Sequence, residues 1–142
     1  MFKMSAIRCH YSRLPGFPKS PLMPTIEVNL ISGKSQFPTR ALVDSGASQS
    51  AITTEVAEFL GIDWNSLPSF TGFSIQGAYG CHPYPLKIEI LGQNFTFTFN
   101  IIEGRSIFSC VLGQEDFFKM ARVVFERYRE VFEISFKGRK SN

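Results

Sequence analysis

The tripeptide Asp44-Ser45-Gly46 is the stretch of this sequence best suited to chemistry. The branched residues Leu42 and Val43 before it favour a buried strand, and Ser45 and Gly46 favour a sharp turn. A carboxylate that a buried strand delivers onto such a turn is held in one pose, which suits acid–base catalysis. Asp-Ser-Gly is also an ordinary turn sequence, because Asp and Ser bond their own backbone. The rest of the chain must therefore decide between the two interpretations.

Length and composition indicate one domain with a substantial apolar core. The chain has 142 residues, 44% of them hydrophobic, and 15 phenylalanines. A net charge of +3 is too small to indicate a nucleic-acid partner, and no apolar run approaches the roughly 18 residues that span a bilayer. Three cysteines and no secretory signal pattern favour reduced thiols. The sequence predicts a cytoplasmic protein with no membrane partner.

The two ends of the chain differ from its middle. Residues 1–24 carry no acidic residue, and Pro15, Pro18, Pro21 and Pro24 recur with the three-residue period of polyproline II. This pattern predicts an extended, poorly packed, basic leader, whose role as partner ligand, targeting peptide, removable pro-segment or plain leader stays open. Residues 137–142 are a predicted basic tail. The folded domain is predicted to run from residue 25 to residue 136.

Several elements are predicted to position Asp44. Residues 25–31 and 37–43 have strand character and flank a turn, so they predict a hairpin whose second strand ends at the aspartate. Residues 49–53 predict a short strand. A helix capped by Thr53 or Thr54 should follow as far as Leu60, where Gly61 ends it.

The second half of the chain predicts more strands. Residues 70–90 predict a long hairpin with its tip at residues 76–80, and Pro83 and Pro85 suggest that its return strand lies at an edge. Residues 95–101 alternate as a half-buried strand, and residues 107–112 predict another. A short helix to about Ala121 and a final hairpin of residues 122–126 and 130–136 complete the domain.

Two motifs together resemble a known family. Asp44-Ser45-Gly46-Ala47-Ser48, followed by a short strand and a capped helix, and the later Val111-Leu112-Gly113 resemble retropepsin-like aspartic proteases, the single-domain, homodimeric relatives of pepsin. The resemblance covers residues 25–136. It implies an all-β fold, a closed β-barrel with one or two short helices, that assembles as a homodimer.

The resemblance also implies an aspartic endopeptidase that uses no metal or cofactor and acts on peptide or protein substrates. Asp44 would be catalytic, supported by Ser45 and Gly46, and one chain would supply half a site because Asp44 alone of the three aspartates stands in the motif. Ser45 would hydrogen-bond across the two-fold axis, with a looser brace than the Thr of many members. Val111, Leu112 and Gly113 would be the structural motif beside it. The implied substrate-binding residues are Ala47, Ser48, Ile75, Gln76, Gly77, Ala78 and Tyr79.

Three alternatives stay open. The chain could be a catalytically weak or inactive dimerisation or peptide-binding module with the same fold, because fold does not guarantee activity. It could be a protease domain from a larger mobile-element polyprotein. The pairs Cys9-His10 and Cys81-His82 could form a zinc site, but neighbours on an extended chain point to opposite faces and the spacing fits no common zinc pattern.

Gln114 stands where the family often has Arg or Met, which puts an Arg salt bridge in doubt.

Overall fold

A computed structural model describes residues 5–138, which form ten strands and two short helices. The strands are β1 (Ile7–His10), β2 (Thr25–Ser32), β3 (Ser35–Val43), β4 (Ala51–Thr53), β5 (Phe70–Ser74), β6 (Gly77–Ile90), β7 (Gln93–Ile102), β8 (Cys110–Leu112), β9 (Ala121–Glu126) and β10 (Val131–Phe136). The helices are α1 (Thr54–Phe59) and α2 (Phe117–Met120). Within this part of the chain, no helix is long and apolar enough to cross a membrane.

Six strands close into a barrel. They follow each other in the order β2, β3, β8, β4, β7 and β6, and pairing of β2 with β6 closes the ring. Strand β5 extends β6 beyond the ring, while β1, β10 and β9 form a separate three-stranded sheet. The predicted all-β closed barrel with short helices is confirmed.

Alternating side chains fill the barrel. On β2, the side chains of Ile26, Val28 and Leu30 are buried, whereas Glu27 between the first two is exposed. On β7, the side chains of Phe97, Phe99 and Ile101 are buried in the same core. A strand places successive side chains on opposite faces, so the period of two predicted both strands correctly.

Helix α1 begins and ends as predicted. The Thr53 hydroxyl accepts a hydrogen bond from the Val56 N–H, which satisfies one of the unpaired donors of the first turn. Gly61 follows the helix in the left-handed region, with φ +76°. The helix packs Val56 and Ala57 into the core.

The segment before residue 25 is not poorly packed, and its proline-containing part is not extended, so the prediction is wrong on both points. The Phe17 N–H donates to the Leu14 carbonyl at 2.9 Å and the Ser20 N–H to the Phe17 carbonyl at 3.0 Å, which closes two successive turns. β1 pairs antiparallel with β10, from Ile7 opposite Ile134 to His10 opposite Val131. Beyond it, the ring of Tyr11 packs edge-on against buried Phe132, with the centroids 5.6 Å apart. The proline period gave no sign of this strand, because the prolines follow it in the chain. The domain boundary at residue 24 stays a prediction, and residues 1–4 and 139–142 of the predicted leader and tail lie outside the described residues.

The predicted strand of residues 107–112 is too long. Only Cys110–Leu112 form β8, and the side chain of Ile107 is 70% exposed. β8 lies between β3 and β4. It pairs with β3 through three residues and with β4 through two. The ladder stops at Cys110 because β4 ends at Thr53, where α1 begins, although the Ser109 carbonyl still accepts from the Thr53 N–H at 3.3 Å. The final hairpin of β9 and β10 is confirmed.

The return strand β6 has a neighbour on only one side over residues 82–86. β5 pairs with β6 as far as Cys81 and β2 pairs with it from Lys87, whereas β7 pairs along its whole length from Cys81. Pro83 and Pro85 both lie in this one-sided stretch. Because proline has no N–H to donate, this is where a long strand tolerates it. The predicted edge character is confirmed.

The three cysteines are free thiols, and Cys81 and Cys110 are buried. Burial raises the pKa of each thiol, most strongly for Cys110 in the core. Because the thiolate is the reactive form, we expect iodoacetamide at pH 8 to alkylate Cys110 in the native protein at least about a hundredfold more slowly than in denaturant. Peptide mass spectrometry over time measures this rate, with half-buried Cys9 as the internal comparison. Equal Cys110 rates in native and denatured protein would contradict it.

Candidate active site

Asp44 lies where β3 leaves the barrel. Its N–H donates to the Leu112 carbonyl of β8 at 3.0 Å, so the parallel β3–β8 ladder fixes its backbone. Its side chain accepts a hydrogen bond at Oδ1 from the Gly46 N–H, at 2.9 Å. A Cβ atom at position 46 would lie 3.3 Å from the same Oδ1, which explains why glycine suits this position. Asp44 is half-buried, so its carboxylate is both oriented and accessible.

The loop after Asp44 is bound to the chain that follows β8. The backbone N–H groups of Gln114 and Glu115 donate to the carbonyls of Ala47 and Ser48, both at 2.9 Å. The Gln114 side chain adds a third bond, from Nε2 to the Ser45 carbonyl at 2.7 Å. Gln114 therefore takes no part in a salt bridge to this loop but holds its backbone directly.

Gly113 lies against the same loop. A Cβ atom there would lie 2.7 Å from the backbone carbon and oxygen of Gln49 and 2.9 Å from the Ala47 oxygen, closer than real Cβ contacts. Its N–H donates to the hydroxyl of buried Ser50 at 3.1 Å. The close approach of two backbones therefore requires glycine at position 113.

An open cleft of about 590 Å³ lies in front of Asp44. Among the described residues, Asp44 is the one acidic side chain that lines it. The other two aspartates lie elsewhere: Asp63 precedes a short 3-10 turn, and Asp116 accepts a hydrogen bond from the Thr98 N–H. One chain therefore brings a single carboxylate to this cleft.

The β5–β6 hairpin forms the opposite wall of the cleft. Its tip is Ile75-Gln76, between the paired residues Ser74 and Gly77, and not residues 76–80 as predicted. Ala78 lies opposite Phe73, and Tyr79 opposite Gly72, inside the ladder. Gly72 leaves room for the Tyr79 ring, since a Cβ atom there would lie 2.4 Å from it. The two glycines at 77 and 80 had suggested a later turn.

The hairpin tip exposes apolar side chains. Phe73 is 79% exposed, and the side chain of Ile75 is fully exposed at the tip. The Ser74 hydroxyl holds the turn together, accepting from the Gln76 N–H and donating to the Gly77 carbonyl. Large apolar side chains at the end of a narrow hairpin are suited to covering a ligand in the cleft.

The structure brings most of the predicted site residues together. Ala47, Ser48, Ile75, Gln76 and Tyr79 line the Asp44 cleft. Gly77 and Ala78 line an adjoining cavity of about 460 Å³ instead. The prediction did not name the other lining residues of the Asp44 cleft as substrate-binding, although it gave Gly46 and Val111 other roles. These residues are Gly46, Gln49, Ala51, Phe73, Ser74, Asn100, Ile102 and Val111. Asn100 and Ile102 come from β7, whose place beside β4 has no local signal in the sequence.

No metal-binding arrangement occurs in the part of the chain that the structure describes: no group of three or more His, Cys, Asp and Glu side chains is placed to hold an ion. Cys9 lies in β1 of the small sheet and Cys81 in β6 of the barrel. His82 instead bonds Glu103.

Solved structures resemble this arrangement of barrel, aspartate loop and hairpin. A retropepsin-like aspartic protease from Rickettsia conorii superposes with a TM-score of 0.66 at 19% identity, covering 92% of this chain and 98% of that one. The fold is retropepsin-like. The retroviral protease-like domain of Ddi1 from Leishmania major has a TM-score of 0.55 at 19% identity, covering 70% of this chain and 79% of that one. EIAV protease, complexed with an inhibitor, has a TM-score of 0.52 at 19% identity, with 68% and 86% covered.

Sequence comparison adds nothing to this likeness, since no protein-family profile and no curated protein matches the chain. The resemblance to retropepsin-like proteases thus rests on the retropepsin-like fold, which covers most of the chain. Function must be argued from the site itself.

Proposed function

We propose that this protein is an aspartic endopeptidase whose active site forms when two copies of the chain bring their Asp44 side chains together. The observation that carries the proposal is the Asp44 loop. It presents one oriented carboxylate to an open cleft that contains no second acidic residue among the described side chains. A two-fold homodimer is the simplest assembly that supplies the missing partner.

Two facing carboxylates would share one proton, because like charges a few Å apart cannot both ionise. The ionised Asp44 takes a proton from a water molecule, whose oxygen attacks the peptide carbonyl carbon. The protonated Asp44 of the second copy donates to the carbonyl oxygen. When the tetrahedral intermediate collapses, the carbon–nitrogen bond breaks and a proton passes to the leaving amine.

An extended peptide is the substrate that fits the cleft. The β5–β6 hairpin lies across from Asp44 and would act as a flap, with Phe73, Ile75 and Tyr79 covering the peptide. Backbone pairing would supply affinity, and apolar side chains of the flap would select among substrate side chains. Ser45, exposed at the front of the loop, is the residue we expect to bond across the two-fold axis.

The proposal is tested by incubating the protein with a mixed peptide library between pH 4 and pH 8 over a range of protein concentrations. Activity should rise with the square of concentration below the dimerisation constant and linearly above it. Analytical ultracentrifugation should place the monomer–dimer transition at the same concentration. A dimer that binds peptides without cleaving them would support the alternative of a peptide-binding module. A monomer that neither cleaves nor binds the peptides would contradict both.

Gln114 should matter to activity through its bond to the Ser45 carbonyl. We expect Gln114→Met to lower kcat/KM about fivefold, since an exposed hydrogen bond contributes about 1 kcal/mol, with a fall in Tm of only about 3 °C. Gln114→Arg keeps a donor at this position and should retain most of the activity. Steady-state kinetics and thermal melts measure both effects.

The matched control is Gln36→Met, at an exposed glutamine of β3 that bonds Asn29. It should leave kcat/KM unchanged. Equal activity of Gln114→Met and wild type would show that the backbone bonds alone hold the loop.

A further inference from the structure

A buried histidine joins three segments at the base of the β5–β6 hairpin. His82 lies on β6 just below the hairpin and is 4% exposed. Its Nε2 lies 2.8 Å from Glu103 Oε2, at the end of β7, and its Nδ1 lies 3.3 Å from the Leu67 carbonyl. Leu67 is in the segment that enters β5. His82, on the outgoing strand of the hairpin, therefore joins the segment before the hairpin, through Leu67, to the end of β7, through Glu103.

Both ring nitrogens face oxygen acceptors, which favours one protonation state on geometric grounds. A neutral imidazole has one N–H and one lone pair, so one nitrogen would point a lone pair at either the carboxylate or the carbonyl. The imidazolium donates from both nitrogens, and its bond to Glu103 is then charge-assisted. The contact at the hairpin base is thus complete only when His82 is protonated.

Trp64 packs against the His82 ring, and Gly80 leaves room for Glu103 to reach it. The Trp64 ring packs edge-on against the imidazole, with the centroids 5.2 Å apart, and its Nε1–H donates to Glu58 of α1 at 3.1 Å. Glu103 reaches His82 across Gly80, where a Cβ atom would lie 2.5 Å from Glu103 Oε2. The acidic groups around His82 are therefore Glu103 in direct contact and Glu58 through the indole.

We propose that His82 is a positioning residue for the hairpin, a clamp that is closed when its ring is protonated. Closed, it ties the incoming and outgoing strands of the hairpin to the end of β7 and holds the hairpin over the Asp44 cleft. When the ring loses its proton, one of the two bonds is lost and the hairpin base loosens. The consequence for peptide cleavage rests on the proposed function, whereas the clamp itself does not.

The test measures the hairpin directly by hydrogen–deuterium exchange of the free protein, so it does not depend on catalysis. Protection factors of the amides in residues 71–79, corrected for intrinsic exchange, should be about fivefold higher at pH 5.5 than at pH 8. In Glu103→Gln this difference should disappear. The matched control Glu89→Gln, at an exposed position of β6, the strand that carries His82, should keep it.

Trp64, the single tryptophan of the chain, gives a second readout at the clamp itself. A protonated imidazole quenches a neighbouring excited indole, so wild-type emission should fall on acidification and that of His82→Gln should not. Equal pH dependence of hairpin protection in wild type and Glu103→Gln would overturn the proposal. Emission that changes with pH in the same way in His82→Gln would also overturn it. If the protein shows the clamp and cleaves no peptide, the proposed function alone fails.

Discussion

Asp44→Asn is expected to lower peptide cleavage by about 10³-fold or more while leaving the fold intact. Asparagine keeps an Oδ1 that accepts the Gly46 N–H, so the loop geometry survives. It can neither take a proton from water nor share one with the second carboxylate, which removes acid–base catalysis. Cleavage of the best library peptide, beside circular dichroism and a thermal melt, measures both parts of the prediction.

Mixing the two proteins tests whether the active site is shared. If dimers exchange subunits freely, adding an equal amount of Asp44→Asn to wild type should reduce wild-type activity to about half, because half of the wild-type chains then have an inactive partner. Asp63→Asn, at an exposed aspartate outside the cleft, is the control: this variant should be active, so adding an equal amount should double the activity of the mixture. Undiminished activity in the mixture would rule out a site built from two copies.

Gly113→Ala is expected to reduce the free energy of unfolding by about 3 kcal/mol, near the upper end of the cost of overpacking. The added methyl group would meet backbone atoms of Gln49 and Ala47, which cannot rotate away as a side chain could. For a chain of this size, the loss corresponds to a fall in Tm of about 10 °C. Because the displaced backbone belongs to the Asp44 loop, activity should fall further than stability explains.

The control for this change is Gly92→Ala in the turn between β6 and β7. Gly92 has φ +80° and no atom near the position of an added Cβ. Alanine there bears only the cost of a left-handed backbone, about 1 kcal/mol. Chemical denaturation of both variants compares crowding with backbone conformation. Equal losses would mean that the loop moves aside without strain.

Local patterns in the sequence predicted those elements whose causes are local. The period-two strands β2 and β7, the Thr53 cap and the Gly61 helix end each depend on residues close together in the chain. The aspartate motif and Val111-Leu112-Gly113 together indicated the fold, and their side-by-side placement in β3 and β8 is confirmed. The errors concern partners: β8 is shorter than its apolar character suggested because its neighbour β4 ends at Thr53, where α1 begins.

The contacts that complete the candidate site join distant parts of the chain. The bond from Gln114 to Ser45 spans 69 positions, and that from His82 to Glu103 spans 21. Nothing in the neighbouring residues marks either pair; the position of His82 beside Cys81 raised only a zinc site, against which the spacing argued. Similarly, the sequence gives no local sign that β1 pairs with β10 in the small sheet, since the two strands lie at opposite ends of the chain.

The one-sided stretch of β6 bears on how the protein avoids association with itself. A strand with an open side is a template on which a foreign strand can add, and this is a common start of aggregation. Pro83 and Pro85 lie in that stretch and supply no N–H to an incoming ladder. The open side of β6 at the base of the hairpin can thus stay exposed without recruiting other chains into fibrils.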